Sequence, residues 1–267
     1  MHETITSPHN PKIKNLKKLE KASERKAQNL FVIEGLREVV LAQRAGYEMD
    51  SLFLCEEIFV PSKEYPLPQS SIFNFQFSVS KPVYDSLAYR ETTEGIIATA
   101  KPKKHLLENL QLRNNPLVLV IEAVEKPGNL GAMLRTCDAA GADAVIICHP
   151  KTDIYNPNVI RSSIGTVFTN QIAVCETEEA IAFLKQHHIK TYAAELNAAK
   201  FHYEQNFTGS TALVVGAEAT GLSNEWMNAA DEKIKIPMRG KIDSMNVSVS
   251  AGILLFEALR QRETLNH

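Results

Sequence analysis

From residue 117 to the C-terminal region the chain alternates between short apolar runs and helix-like stretches. LVLVIEAV (117–124), AVIIC (144–148), 168–174, 190–194, 211–215 and 233–236 read as strands. Residues 129–140, 157–164, 177–187, 222–229 and 246–262 read as helices, and Gly141 and Gly165 stand where two of them should stop. Short, almost wholly apolar runs bounded by turn residues fit strands buried on both faces. Strands joined through helices lie parallel, because a crossover returns the chain to the same end of the sheet. The predicted architecture is therefore α/β, a parallel sheet with helices on both faces. Ligands of such sheets bind beyond the C-terminal strand ends, where the loops 125–129, 216–221 and 237–245 lie.

The preceding sequence reads differently. A helix is predicted over 12–29, with Leu16, Leu19 and Ala27 on one face and lysines on the other. A strand at 31–33 and a helix at 35–45 follow, then strand candidates at 51–54, 58–60, 72–79 and 95–99. Residues 1–103 thus form a small α/β domain, the charged stretch 104–115 a linker, and 116–267 the second domain. The 267 residues suffice for two ordinary domains. No run of about 18 apolar residues could span a membrane. The opening MHETITSPHNPKIK lacks the apolar core of a secretory signal. Cys55, Cys137, Cys148 and Cys175 show no CxxC or zinc spacing. Cys148 and Cys175 fall in apolar runs, as small buried thiols do, and a reducing, cytoplasmic compartment is expected.

Net charge is −2, so overall charge does not point to nucleic acid. Residues 1–30, however, carry seven basic side chains (Lys12, Lys14, Lys17, Lys18, Lys21, Arg25, Lys26) against three acidic ones. Such a face is either plainly solvated or a phosphate contact.

Three segments carry chemistry. Gly216-Ala-Glu-Ala-Thr-Gly221 follows a strand as a phosphate loop would, but Leu222 occupies the position of the required lysine and Glu218 would repel a triphosphate. A nucleoside triphosphatase is thereby disfavoured. The glycines either form a simple turn or let the backbone approach a ligand that is not polyanionic. In EKPGNLGAMLRT (125–136), Asn129 fits a helix N-cap, and Arg135 is either a surface residue or an anion ligand. Ser244 and Asn246 open the last apolar helix, as caps or as groups that position a hydroxyl.

Together these segments resemble the SpoU/TrmH family of RNA ribose 2′-O-methyltransferases, of the SPOUT class. NLGAMLRT is similar to the family's first motif at Asn129, Gly131 and Arg135. LVVGAEATGLS is similar to the second at Gly216 and Glu218, and IPMRGKIDSMNVSVSAG to the third at Ser244 and Asn246. Met245 departs from the usual leucine but has similar volume. The resemblance covers about 116–262. ITSPHNPKIK and FVIEGLREV further resemble the ribosomal-protein-like substrate-binding domain that precedes the catalytic domain in many members.

The resemblance implies a C-terminal trefoil knot, S-adenosylmethionine as methyl donor, a homodimer, and RNA as substrate, with rRNA favoured over tRNA and no DNA. It implies that Gly216, Ile236 and Met245 line the adenosyl pocket. Arg135 would clamp a phosphate, Asn129, Ser244 and Asn246 would orient ribose and Arg135, and Glu218 would hold Arg135 or the loop. No metal is implied. Deletion of residues 1–100 is expected to leave a folded, cofactor-binding dimer with weak RNA binding. A catalytically silent RNA-binding or assembly factor on the same fold is the alternative.

Overall fold

The computed structural model describes residues 3–89 and 94–264. The chain divides into two compact units. The first comprises residues 1–104 together with 153–169, and the second comprises 105–152 with 170–267.

The first unit contains β1 (Glu3–Ile5), α1 (Pro11–Lys18), α2 (Ala22–Gln28), β2 (Phe31–Glu34), α3 (Leu36–Arg44), β3 (Met49–Leu54), β4 (Phe75–Val79), α4 (Lys81–Asp85) and β5 (Ile96–Ala100). Its sheet runs β1-β4-β3-β5-β2, with β1, β4 and β3 parallel and β5 antiparallel to both its neighbours. The helix expected over 12–29 is two helices. Arg25 accounts for the break: its Nη1 donates to the carbonyls of Leu19 and Glu20 at 2.8 Å, satisfying groups that a continuous helix would have used itself. Arg25 is therefore buried, and its Nε pairs with Asp153 at 2.7 Å. It leaves the basic face, whereas the six lysines stay exposed, as does Ala27. The expected strand at 58–60 is absent, because the N–H groups of Ile58 and Phe59 turn back to the carbonyl of Cys55.

In the second unit follow β6 (Leu117–Glu122), α5 (Pro127–Ala140) and β7 (Ala144–Cys148). The chain contributes α6 (Pro157–Ser162) to the first unit before returning through β8 (Ile172–Cys175), α7 (Thr177–Gln186), β9 (Lys190–Ala194), β10 (Lys200–Phe201) and β11 (Thr211–Val215). It ends with α8 (Asn224–Ala229), β12 (Glu232–Lys235) and α9 (Val247–Thr264). The sheet is parallel throughout, in the order β10-β12-β9-β11-β6-β7-β8, as the strand–helix alternation implies. Every residue of β6, β7 and β11 is buried. Trp226 of α8 and Ala180 and Leu184 of α7 pack in one core cluster with Val118, Val120, Ile146 and Val214. α9 packs against α5, with Gly252 facing the Thr136 side chain. In the last turn of α9, Arg262 donates to the carbonyls of Phe207, Asn115, Pro116 and Gly209.

The place of residues 153–169 corrects the expected domain division. Tyr155 stacks on Phe31 at 4.3 Å between ring centroids, and its hydroxyl lies 3.2 Å from that of Tyr47. A Cβ at Gly165 would come within 2.9 Å of Leu41. A strand–helix pattern reports local periodicity and cannot say which core a helix joins. Deletion of residues 1–100 would expose Tyr155, Val159 and Ile160, all buried here, so the expected stable remnant does not follow.

Candidate active site

The loops after β6, β11 and β12 meet at one end of the second unit's sheet, and Glu218 joins them. Its Oε1 accepts from Asn129 Nδ2 at 2.6 Å and from Asn246 Nδ2 at 2.9 Å. Its Oε2 faces Lys126 Nζ at 2.5 Å. Asn246 Nδ2 also donates to Asn129 Oδ1 at 3.1 Å. The Lys126 ammonium, followed by the Asn129 amide and the Val247 N–H, holds the Glu218 carboxyl below its ordinary range against an opposing contribution from burial. Glu218 thus secures the loops, and Arg135 is not among its partners.

Local sequence explains each placement. Proline is well suited to a first helical position, and Pro127 starts α5 after Lys126. Asn129 is therefore not the N-cap but the third residue of the helix, free to face Glu218. Asn246 does cap a helix: its Oδ1 accepts from the Ser248 N–H at 2.9 Å and the Ser248 hydroxyl at 2.6 Å. One asparagine so ends a loop with its oxygen and ties it to Glu218 with its nitrogen.

The loop 216–221 closes on itself through reciprocal bonds between Ala217 and Gly221, 3.1 and 2.9 Å long. A Cβ at Gly216 would fall 2.3 Å from the Gly221 carbonyl oxygen, so only glycine fits. Gly221 adopts a φ of +69°, in the left-handed region. The loop itself accounts for these glycines, while Gly216 also lines the adjoining cleft. Ser223 caps α8, accepting from the Trp226 N–H.

That cleft has a volume of about 390 Å³. It is lined by Gly216, Glu218, Ile236, Ser244 and Met245 among the expected residues, with Leu222 and Met238 adding apolar surface. Asn129 and Asn246 meet Glu218 at its edge. Ser244 is exposed and donates to Asp243 at 3.2 Å. Arg135 lies further along α5, exposed, with no hydrogen bond or ion pair among the described residues.

Three contributors escaped the sequence reading. Lys126 looked like an ordinary loop lysine. Residues 194–197, at the end of β9 and just beyond it, line the cleft, but nothing in their composition sets them apart. Glu122 was the one legible anomaly, a carboxylate in an apolar strand. It is buried, accepts from Thr177 Oγ1 at 2.7 Å and from the Ser223 N–H at 2.8 Å, and so anchors the far end of the 216–223 segment.

Known proteins resemble this chain in both of its parts. The family model described as the SpoU rRNA Methylase family matches residues 116–256, and the MRM3-like substrate binding domain matches 10–98. The chain belongs to the SpoU rRNA methylase family. It is 31% identical over 252 residues to the 23S rRNA (guanosine(2553)-2′-O)-methyltransferase RlmP of Bacillus subtilis, covering 94% of this chain and 97% of that protein. It is 37% identical over 190 residues to the 23S rRNA (guanosine-2′-O-)-methyltransferase RlmB of Vibrio vulnificus, covering 69% of this chain and 77% of that one. The AdoMet-bound rRNA methyltransferase from Sinorhizobium meliloti superposes with a TM-score of 0.86 at 25% identity, covering 97% of both chains. The resemblance carried by the three motifs is thereby established as family membership.

The cleft suits S-adenosylmethionine on its own chemistry. Ile236, Met238, Met245 and Leu222 offer apolar surface for a ring, and the strand ends offer backbone donors and acceptors. The 216–221 loop carries a carboxylate and no lysine, as befits a cationic ligand without phosphate.

Proposed function

We propose that this protein is an S-adenosylmethionine-dependent methyltransferase acting on a ribose 2′-hydroxyl of ribosomal RNA. The observation that carries the reading is the convergence of Asn129, Glu218 and Asn246 at the edge of an apolar cleft, with Arg135, exposed and without a partner among the described residues, on the same helix as Asn129.

The cofactor supplies a methyl group on a positively charged sulfur, which leaves as a neutral thioether when the methyl carbon bonds to the ribose oxygen. Gly216, Ile236 and Met245 hold the adenosyl portion. Arg135 offers a planar fork of donors and no acceptor, which makes it a clamp rather than a base. It binds a backbone phosphate of the target nucleotide and thereby positions the 2′-hydroxyl, whose proton passes to an oxygen of that phosphate. Ser244 and Asn246 orient the ribose, and Asn129 and Glu218 keep the loops in register. Preorganisation of this kind lowers the barrier by fixing the attacking oxygen in line before reaction.

The protein works as a homodimer in the cytoplasm, on rRNA rather than tRNA or DNA. Val249 and Phe256 support the dimer: they lie seven positions apart on α9 and are 52% and 48% exposed, an apolar strip that a second copy would cover. The family's trefoil knot belongs to the same proposal. The sheet order supports it, because β11 fills the gap between β6 and β9. Among the described residues no helix is long and apolar enough to cross a membrane.

The test is transfer of tritiated methyl from S-adenosylmethionine to total RNA, followed by mapping of 2′-O-methyl positions in cells with and without the protein. Label in large-subunit rRNA is expected. Label in tRNA would redirect the substrate, and no label in any RNA would leave an RNA-binding factor on this fold.

A further inference from the structure

The first unit contains a second cleft, of about 360 Å³, between α1 and the start of β4. Phe75 stands at its mouth, 58% exposed in a strand whose other aromatic, Phe77, is buried. The two ring planes are nearly parallel, 12° apart with centroids separated by 6.5 Å, and Phe53 of the neighbouring strand packs beside Phe77 at 4.9 Å. Lys12 Nζ lies 4.5 Å from the Phe77 centroid and also pairs with Glu3. Lys14, Lys17 and Lys18 continue along α1, all exposed.

The cleft also has a polar side. The pairing of β3 with β5 shifts between Met49 and Ser51, and this bulge contains Asp50, which lines the cleft. Bulges commonly re-aim a side chain in this way. Asp50 Oδ2 accepts from Ser51 Oγ at 2.6 Å and from Thr99 Oγ1 at 3.1 Å. Among the described residues Asp50 Oδ1 has one long contact, 3.4 Å from Asn74 Nδ2, and keeps accepting capacity. An exposed aromatic face, an acceptor and neighbouring cations form the combination by which proteins hold bases of single-stranded RNA.

We infer that this cleft takes one unpaired nucleobase of the RNA, stacked on Phe75, with its exocyclic amino group donating to Asp50 and the adjoining phosphate beside Lys12. The assignment rests on the reading that the chain acts on RNA, and it gives the first unit a means of telling unpaired from paired strands. An exocyclic amino group offers Asp50 a donor at the base edge, whereas the N3–H of uracil lies between two carbonyl oxygens that a carboxylate repels.

The experiment uses the full chain and short fluorescent RNAs: oligo(C), oligo(A), oligo(U) and a blunt duplex, read by anisotropy at fixed salt. Phe75→Ala should weaken oligo(C) binding about tenfold, the effect of removing one base–aromatic stack, and leave duplex binding unchanged. Phe75→Trp should restore affinity to within about threefold of the original protein, by the same stacking argument. Oligo(C) and oligo(A) should bind more tightly than oligo(U), and Asp50→Asn should level that preference. Unchanged oligo(C) affinity in Phe75→Ala, or an equal loss on duplex, would overturn the site. Tritium transfer by the unsubstituted protein is read in parallel. No transfer with the Phe75 discrimination intact sinks the methyltransferase reading alone, and transfer without that discrimination sinks the base site alone.

Discussion

Helix α5 presents two polar residues less than two turns apart, and their surroundings are opposite. Asn129, in the first turn, has both ends of its amide engaged, by Glu218 and by Asn246. Arg135 carries the greater charge and has no partner among the described residues. A group whose bonds are satisfied within the protein builds the site. The guanidinium of Arg135 is exposed, and under the proposed function its donors are the ones that hold an RNA phosphate. The contrast separates positioning from binding on one rigid element, and a substitution at either end can break it.

The largest effect is expected at the unpaired end. Arg135→Ala should lower methyl transfer by at least about a hundredfold, as loss of a placed electrostatic group does, while calorimetric cofactor affinity stays within about threefold. Arg135→Lys should recover part of the rate, since an ammonium keeps the charge and loses the planar fork. Lost cofactor binding in Arg135→Ala would show that Arg135 belongs with the builders.

Glu218→Ala should come next and should differ in kind. It removes the common acceptor of Asn129, Lys126 and Asn246, so cofactor affinity and transfer should fall together, each by about tenfold, as when bonds to a charged group are lost. A fall in turnover with affinity intact would erase the distinction between the two ends.

The pH response sharpens the same point. The Glu218 carboxyl is held below its ordinary value of 4.5 in the folded protein. Its contribution is therefore present above that ordinary value, which the unfolded chain keeps, and is lost as pH falls through the lower folded value. Cofactor affinity, followed by calorimetry, should stay flat from neutrality to about pH 5 and decline only in more acidic solution. In Glu218→Ala that acid limb should disappear.

Lys126→Ala should have the smallest effect. Its side chain is 71% exposed, and exposed ion pairs contribute little. A reduction in turnover of no more than about threefold is expected, with Asn129 and Asn246 still holding Glu218. A loss matching that of Glu218→Ala would make the lysine the principal anchor.

Much of the site was legible in the sequence because it is punctuated by residues with narrow uses. Gly216 and Gly221 mark a loop whose closure admits only glycine at the first position and a left-handed backbone at the second. Asn246 stands where a cap belongs and is one. Asn129 misled for the same reason: it too could have capped, but Pro127 started the helix two residues earlier. Arg25 looked identical to the lysines beside it, and only the carbonyls of Leu19 and Glu20 and the carboxylate of Asp153 explain its burial.

The sequence alone determined the parallel sheet, the three loops at its strand ends and the family, because strand–helix periodicity and short motifs are local properties of the chain. Tertiary structure decided the rest. It made Glu218 the common partner of residues up to 92 positions away, left Arg135 unpaired, placed 153–169 in the first unit's core and set Phe75 at the mouth of a cleft. Each depends on which distant atoms come into hydrogen-bonding or packing contact, and local periodicity carries no such information.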